Sequence, residues 1–320
     1  MTKIYSYTKL ASFEHCPLKY KFRYIDWIIP TVEKSIESVL GKAVHSALEW
    51  LYIRVKQGYI PTIDEVIIEY SKEWQEDFNE NLVINNPKLT PIDYFNKGIE
   101  FLATYYTQNK PFDENTLETE KKIILYLDEN KEYKLQGFVD RLAYNLKTKE
   151  YEIHDYKTAN SIPTKQELEQ NKQLALYSIA IKKEFGENKR VTLIWHFLAH
   201  NKKIEIKKTN QELEKLKKET IELIKKIESA TEFPHQKSRL CNWCEYLSIC
   251  PAWGNTPPIK QEKNPAKDTA TSKKEISPTT KQEIPIKKEI TLTTKQDKPD
   301  IKDKQESLDK YPTTKKYIKD

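Results

Sequence analysis

Two carboxylates and one ammonium in this chain are spaced as a phosphodiester-cleaving site needs them. Gly137-Phe138-Val139-Asp140 ends one apolar run, and Glu152-Ile153-His154-Asp155-Tyr156-Lys157 follows it. Alternate residues of a strand share a face, so Asp155 and Lys157 project together, while Glu152 and His154 have the opposite parity and are left outside the site. A hairpin would lay Asp140 beside the pair. Carboxylates hold a hard divalent cation such as Mg²⁺ or Mn²⁺, which polarises a phosphoryl oxygen and lowers the pKa of a bound water. The lysine can place that water or offset charge building on the phosphate. On its own, an Asp-x-Lys strand is a weak signal and reads first as a solvated edge laced by cross-strand ion pairs; the motifs around it lift it.

The four cysteines form a second constellation. Cys16 stands alone, and Cys241, Cys244 and Cys250 follow about 225 positions later as Cys-x2-Cys-x5-Cys. One thiol plus three is a poor arrangement for two disulfides and a good one for a single four-thiolate centre tying two ends of a domain together. A [4Fe–4S] cluster takes four thiolates. Structural zinc is usually held by two short knuckles, and only Cys241–Cys244 makes one, so the pattern favours iron–sulfur. Zinc and free buried thiols are the alternatives. His15 and His235 lie near the cysteines and are read as non-ligands.

Around these residues the pattern is α/β. Apolar spacing predicts helices over Thr8–Arg23, Glu37–Val55, Asp64–Phe78 and Ile92–Tyr106. The period then becomes strand-like over Lys121–Leu127, Tyr133–Tyr144 and Glu150–Tyr156. A helix over Lys165–Glu184, strands near Val191–Ala199 and Lys202–Lys207, and a charged helix over Gln211–Ser229 complete the order. That order predicts a mixed central sheet flanked by helices, with a helical insertion on the N-terminal side and the cysteine segment closing the unit.

Two further motifs flank the strands: Gly41-Lys42-Ala43-Val44-His45 upstream, and Gln173-Leu174-Ala175-Leu176-Tyr177 downstream, where Gln173 and Tyr177 share a helix face. A helical Gly-x-x-x-His, a Gly-x-x-Asp strand, an Asp-x-Lys strand and a Gln-x-x-x-Tyr helix, in that order, resemble the RecB-like branch of the PD-(D/E)XK nuclease superfamily, with its restriction-endonuclease-like core. The resemblance covers nearly all of residues 1–253. It implies that His45, Asp140 and Asp155 are metal ligands, with the backbone carbonyl of Tyr156 completing the site. It makes Lys157 the catalytic lysine, with Gln173 and Tyr177 placing DNA. Val139 stands where the superfamily has Pro, and Asp155 is the Asp variant of the second acid. The cysteine framework is similar to that of AddB-type subunits and CRISPR-associated exonucleases, down to Ser12–Tyr20 around Cys16 and Cys250-Pro251 at the end.

The expected activity is therefore Mg²⁺- or Mn²⁺-dependent hydrolysis of DNA, from ends and on single strands, in repair or recombination. A nuclease component of a CRISPR-adaptation or helicase–nuclease complex is one rival, and a DNA-binding module without turnover is another. No Gly-x4-Gly-Lys-Ser/Thr motif occurs in the chain, so unwinding would need a partner. Lys19 to Trp27 interleaves Lys19, Lys21 and Arg23 with Tyr20, Phe22, Tyr24 and Trp27, which suits a single strand. The same rings could simply pack a helix onto the core, and Trp243 carries the same ambiguity.

Composition sets the limits. Of 54 basic and 48 acidic residues, 16 lysines and 11 acids lie from Gly254 onward. Residues 1–253 are left with 38 basic and 37 acidic groups, so any basic groove must come from local clustering. The stretch 254–320 has no Trp, Phe or Cys, and repeats Lys-Lys-Glu-Ile and Thr-Thr-Lys-Gln at a 14-residue offset. It reads as a disordered Lys/Thr/Pro-rich tail. No apolar run is long enough for a membrane helix, and the first residues lack the apolar stretch of a secretory signal, so the cytoplasm is the expected compartment, where thiols stay reduced.

Overall fold

The computed structural model describes residues 2–30, 35–79, 82–84 and 86–255. Apart from Gly254 and Asn255, the tail assigned from sequence lies outside the described residues. The described chain runs β1 (Lys3–Ser6), α1 (Tyr7–His15), α2 (Pro17–Tyr24), α3 (Ile36–Lys56), α4 (Ile63–Asp77), α5 (Pro91–Asn109), β2 (Asn115–Tyr126), β3 (Tyr133–Asn145), β4 (Glu150–Lys157), α6 (Lys165–Glu169), α7 (Lys172–Phe185), β5 (Val191–Phe197), β6 (Lys202–Lys207) and α8 (Asn210–Ser229). Short 3₁₀ turns over Arg239–Trp243, Leu247–Ile249 and Pro251–Trp253 carry the last three cysteines or border them.

Two predicted helices are broken, each for a local reason. Pro17 disfavours the helical region for the residue before it, so Cys16 is extended (φ −161°, ψ 103°), ending α1 and capping α2. The Lys165–Glu184 helix breaks at Gln170–Asn171, where the Asn171 side chain accepts from the Gln173 N–H and caps α7 afresh. β1 is an element the sequence reading did not contain. It has four residues with only Tyr5 buried, too few to show a period.

The sheet is mixed. β3 pairs antiparallel with β2 along one edge. Its other edge is shared: β1 runs parallel to residues 133–136, and β4 runs antiparallel to residues 141–145. Residues 137–140 of β3 therefore face a notch between β1 and β4. β5 lies parallel to β4, reached through α6 and α7, and β6 closes the far edge antiparallel to β5. Helices cover both faces. One apolar cluster joins α1, α2, α7 and α8 to Leu135, Val139, Ile153 and Leu193 of the strands. The other is built from α3, α4 and α5 and takes in Tyr156 and Leu198. Burying large apolar side chains is worth roughly 1.5–3 kcal/mol each, so both faces hold the sheet in place and the notch lies between two packed layers. No helix among the described residues is long and apolar enough to cross a membrane.

Candidate active site and cysteine cavity

The notch is where the predicted motifs meet. The β3–β4 ladder stops at the Arg141–His154 pair, and beyond it the Asp140 carboxylate stands in for a backbone carbonyl, Oδ2 accepting the Tyr156 N–H at 2.8 Å. From the other layer, α3 brings His45 against the same residue's backbone: its Nε2 lies 2.8 Å from the Tyr156 carbonyl oxygen and its Nδ1 3.4 Å from Asp140 Oδ2. The backbone of one residue, Tyr156, thus links the two side chains, its N–H to Asp140 and its C=O to His45. Asp155 and Lys157, of opposite parity to Tyr156, form an ion pair with Oδ2 to Nζ at 2.6 Å. Asp155 is buried, and its Oδ2 makes no hydrogen bond beyond that pair.

Gly137 and Tyr177 belong to one contact. A Cβ on Gly137 would lie 2.0 Å from the Tyr177 hydroxyl oxygen, so only glycine lets α7 press its tyrosine onto β3. A side-chain hydrogen bond links Gln173 to Tyr177, and the charges of Asp155, Asp140 and Lys157 all act on that hydroxyl. Of the three side chains expected as metal ligands, His45 and Asp140 belong to one group of ligand atoms among the described residues, whereas Asp155 is not in that group and is paired with Lys157.

Glu120 is a member that sequence reasoning missed. It lies on β2 between the Thr119–Arg141 and Lys121–Val139 pairs, across from Asp140. Its φ is +44°, a left-handed conformation that few non-glycine residues adopt. Although the residue is exposed as a whole, ligand atoms of His45, Glu120 and Asp140 all lie within 4.8 Å of one another. Glu120 precedes Lys121 in a charged stretch, and only the register of β2 against Asp140 distinguishes it from its neighbours. Two carboxylates and an imidazole fit a hard or borderline divalent cation, and the Asp155 carboxylate beside Lys157 adds a further anionic group.

The electrostatics follow from burial and neighbours. Burial pushes the Glu120 carboxyl up to about 7, helped by the charges of Asp140 and Glu49. For His45, burial works against protonation, but the Asp140 hydrogen bond and charge outweigh it and the pKa is raised. Burial also works against the Lys157 ammonium, and the Asp155 carboxylate beside it more than compensates, keeping Lys157 charged.

A buried cation supports this corner from behind. Arg141 is fully buried. Its Nε donates to the Tyr156 hydroxyl at 3.1 Å and its Nη1 to Thr116 Oγ1 at 3.2 Å. Nη1 also pairs with Glu114 at 2.6 Å, and the Tyr52 ring stacks 4.0 Å from the guanidinium. His154 lies between Arg141 Nη2 and His196 Nε2, at 2.9 Å from each. Burial, with the Arg141 charge added, holds both histidines well below their ordinary pKa and neutral. Glu152 meets His154 at 3.5 Å and Asn145 at 2.8 Å, away from the notch.

The cysteines gather elsewhere. Cys16, Cys241, Cys244 and Cys250 all line one cavity of about 350 Å³. Each is partly buried and none is in a disulfide. His15 and His235 also line this cavity, as do Lys19, Arg23 and Lys237. Burial raises the Cys244 thiol pKa. The four thiols share a lining, but among the described residues no three of them bring their sulfur atoms within 4.8 Å of one another.

The model of the PD-(D/E)XK nuclease superfamily matches residues 4–251, and the chain belongs to that superfamily. Membership brings divalent-metal chemistry on DNA, and the notch holds a histidine–carboxylate group of the kind such chemistry uses. No curated protein matches the chain. Among solved structures it is similar to a Eubacterium rectale protein provisionally named an exonuclease (14% identity, 83% of this chain and 92% of that one, TM-score 0.46). It is also similar to the protein SSO0001 (16% identity, 68% and 95%, TM-score 0.31). At these scores neither likeness bears on activity.

Proposed function

We propose that the chain is a divalent-metal-dependent deoxyribonuclease of the RecB-like branch, acting as an exonuclease on single-stranded ends. The observation that carries this is the meeting of His45, Glu120, Asp140, Asp155 and Lys157 at one notch between β1 and β4. His45, Asp140, Asp155 and the Tyr156 carbonyl, with Glu120 added, would hold Mg²⁺ or Mn²⁺. When bound, the cation supplies Lewis-acid polarisation of the phosphoryl oxygen and a water acidic enough to attack at neutral pH.

The chain's own residues do the rest. The Tyr156 backbone fixes Asp140 relative to His45, so the donors are oriented before substrate arrives. Lys157, kept charged by Asp155, aims an ammonium at the reacting phosphate, where negative charge builds. Tyr177, braced by Gly137 and Gln173, borders the same space and positions the strand. At the other end, the four cysteines would hold a [4Fe–4S] cluster that ties α1 and α2 to the end of the domain. The supporting observation is their common cavity.

Lys157→Ala tests the reading. Removing the ammonium should lower metal-dependent cleavage of end-labelled single-stranded DNA by about 10²–10³-fold while DNA still binds. A wild-type protein that cleaves no DNA with either Mg²⁺ or Mn²⁺ would overturn the enzyme reading in favour of a binding module. Anaerobic purification with an absorption spectrum and iron and sulfide assays tests the cluster, and colourless protein holding zinc would refute it.

A further inference from the structure

Between the segment that follows α2 and the cysteine turns runs a groove of about 890 Å³, the largest of the cavities bordered by these elements. Its walls include Trp27 and Trp243, Lys19 and Arg23, and Ser35 and Ser38 at the start of α3. The two indoles are each 60% exposed. The basic–aromatic run around α2 has therefore split. Tyr20 and Phe22 are buried core residues, whereas Trp27 is displayed.

That display is built in. Trp27 has φ +54°, an uncommon conformation for a bulky residue. The backbone is pinned on both sides of it. The Asp26 N–H donates to the Lys21 carbonyl at 2.8 Å, and the Ile28 N–H to the Phe22 carbonyl at 2.9 Å. The Tyr246 hydroxyl then donates to the Ile28 carbonyl at 3.0 Å, tying the segment to the cysteine turns. Trp243 sits between Cys241 and Cys244 and lines both this groove and the cysteine cavity. Lys19 and Arg23 share a single carboxylate, Glu245, at 2.7 and 3.2 Å. Two cations around one anion leave the wall with a net positive charge.

One residue of the groove wall, Ser38, lies on the helix that carries His45. Ser38 and His45 are seven residues apart on α3, two turns along the same face, and so about 10.5 Å apart along the axis. We propose that this groove is a subsite for unpaired nucleotides, in which the Trp27 and Trp243 indoles stack on bases of the strand whose phosphodiester lies at His45. It rests on the nuclease reading above and specifies its substrate. Indole faces stack on exposed bases, and a paired base has no free face to offer. Lys19 and Arg23 meet the phosphates, which makes binding salt-dependent.

The test uses the full chain carrying Lys157→Ala, with fluorescence anisotropy of a labelled 15-nucleotide oligothymidine and of a blunt duplex of equal length. Trp27→Ala should weaken oligothymidine binding by about 5–100-fold, Trp27→Phe should restore most of it, and duplex binding should change by less than about twofold. Trp243→Ala should act in the same direction. Unchanged oligothymidine affinity in Trp27→Ala overturns the subsite. Equal weakening of duplex and single strand, or no recovery with Phe, also overturns it. Cleavage by the chain with Lys157 intact keeps the two readings apart: active wild-type enzyme with unaffected Trp27→Ala binding sinks the subsite alone.

Discussion

The notch and the cysteine cavity solve the same problem, holding several reactive groups together, by opposite means. In the notch, each group hangs from a regular element, and register sets its place: β3 against β4 for Asp140, β2 against β3 for Glu120, and α3 packed on the sheet for His45. At the cysteine end the three C-terminal thiols hang from 3₁₀ turns of three to five residues or flank them, and no residue within those turns is buried. Apolar burial holds the first region, whereas the second is held through one buried side chain, Tyr246, and the Glu245 ion pairs. Where packing cannot fix geometry, a cross-link can. The contrast gives the proposed cluster its physical purpose, independent of any part in the chemistry.

Cutting that link should give the largest effect. Joining Cys16 to Cys241 closes a loop of about 225 residues, and in the chain-entropy model such a closure is worth about 5 kcal/mol. Cys16→Ser should therefore lower the melting temperature by about 10–20 °C, measured by circular dichroism on anaerobically prepared protein. Wild-type melting would mean that the four thiols share a cavity without being joined.

Breaking the notch from behind comes next. Arg141→Met removes a fully buried cation whose partner Glu114 is 35% exposed, so the cost should fall below the roughly 3–5 kcal/mol of breaking a fully buried pair. The Tyr156 hydroxyl loses its donor at the same time, so the loss should also appear at the site as weaker metal binding. Urea unfolding and Mn²⁺ titration measure the two effects. Lost stability with unchanged Mn²⁺ affinity would separate the buried network from the site it underlies.

How far each region was legible in the sequence follows the same divide. Asp155 and Lys157 could be placed together because strand parity is a local rule, and the Gly137 and Tyr177 motifs could be noticed because their types are distinctive. Their contact could not, since it depends on how α7 docks against β3. Glu120 was invisible because nothing local distinguishes it from Glu118: a cross-strand register chose it, and a left-handed backbone turned it. Arg141 hid for the opposite reason. An arginine after Asp140 reads as a surface charge, and only the tyrosines and Glu114 around it explain its burial. The helix break at Cys16 is readable from Pro17, although apolar spacing alone runs a helix straight through it, and it is that break which places the thiol.

Glu120 supplies the smallest and most discriminating test. Its carboxyl is pushed up to about 7 by burial and by Asp140 and Glu49. The protonated form is thus the one favoured in the metal-free fold. Its contribution to stability is fully present below the ordinary Glu value of 4.5 and is lost as pH rises through about 7. Metal binding has the opposite sign, because a cation needs the carboxylate, so apparent Mn²⁺ affinity should rise as pH passes through about 7, with proton release. His45, its pKa also raised, acts in the same direction. Glu120→Gln should cost about 10–100-fold in metal affinity, within the range seen when groups supporting a metal site are lost, and should reduce the pH slope to the share carried by His45. Calorimetric Mn²⁺ titrations in two buffers of different ionisation enthalpy count the protons directly. If the variant releases as many protons as the wild type, Glu120 faces the metal site without belonging to it, and register alone has brought it there.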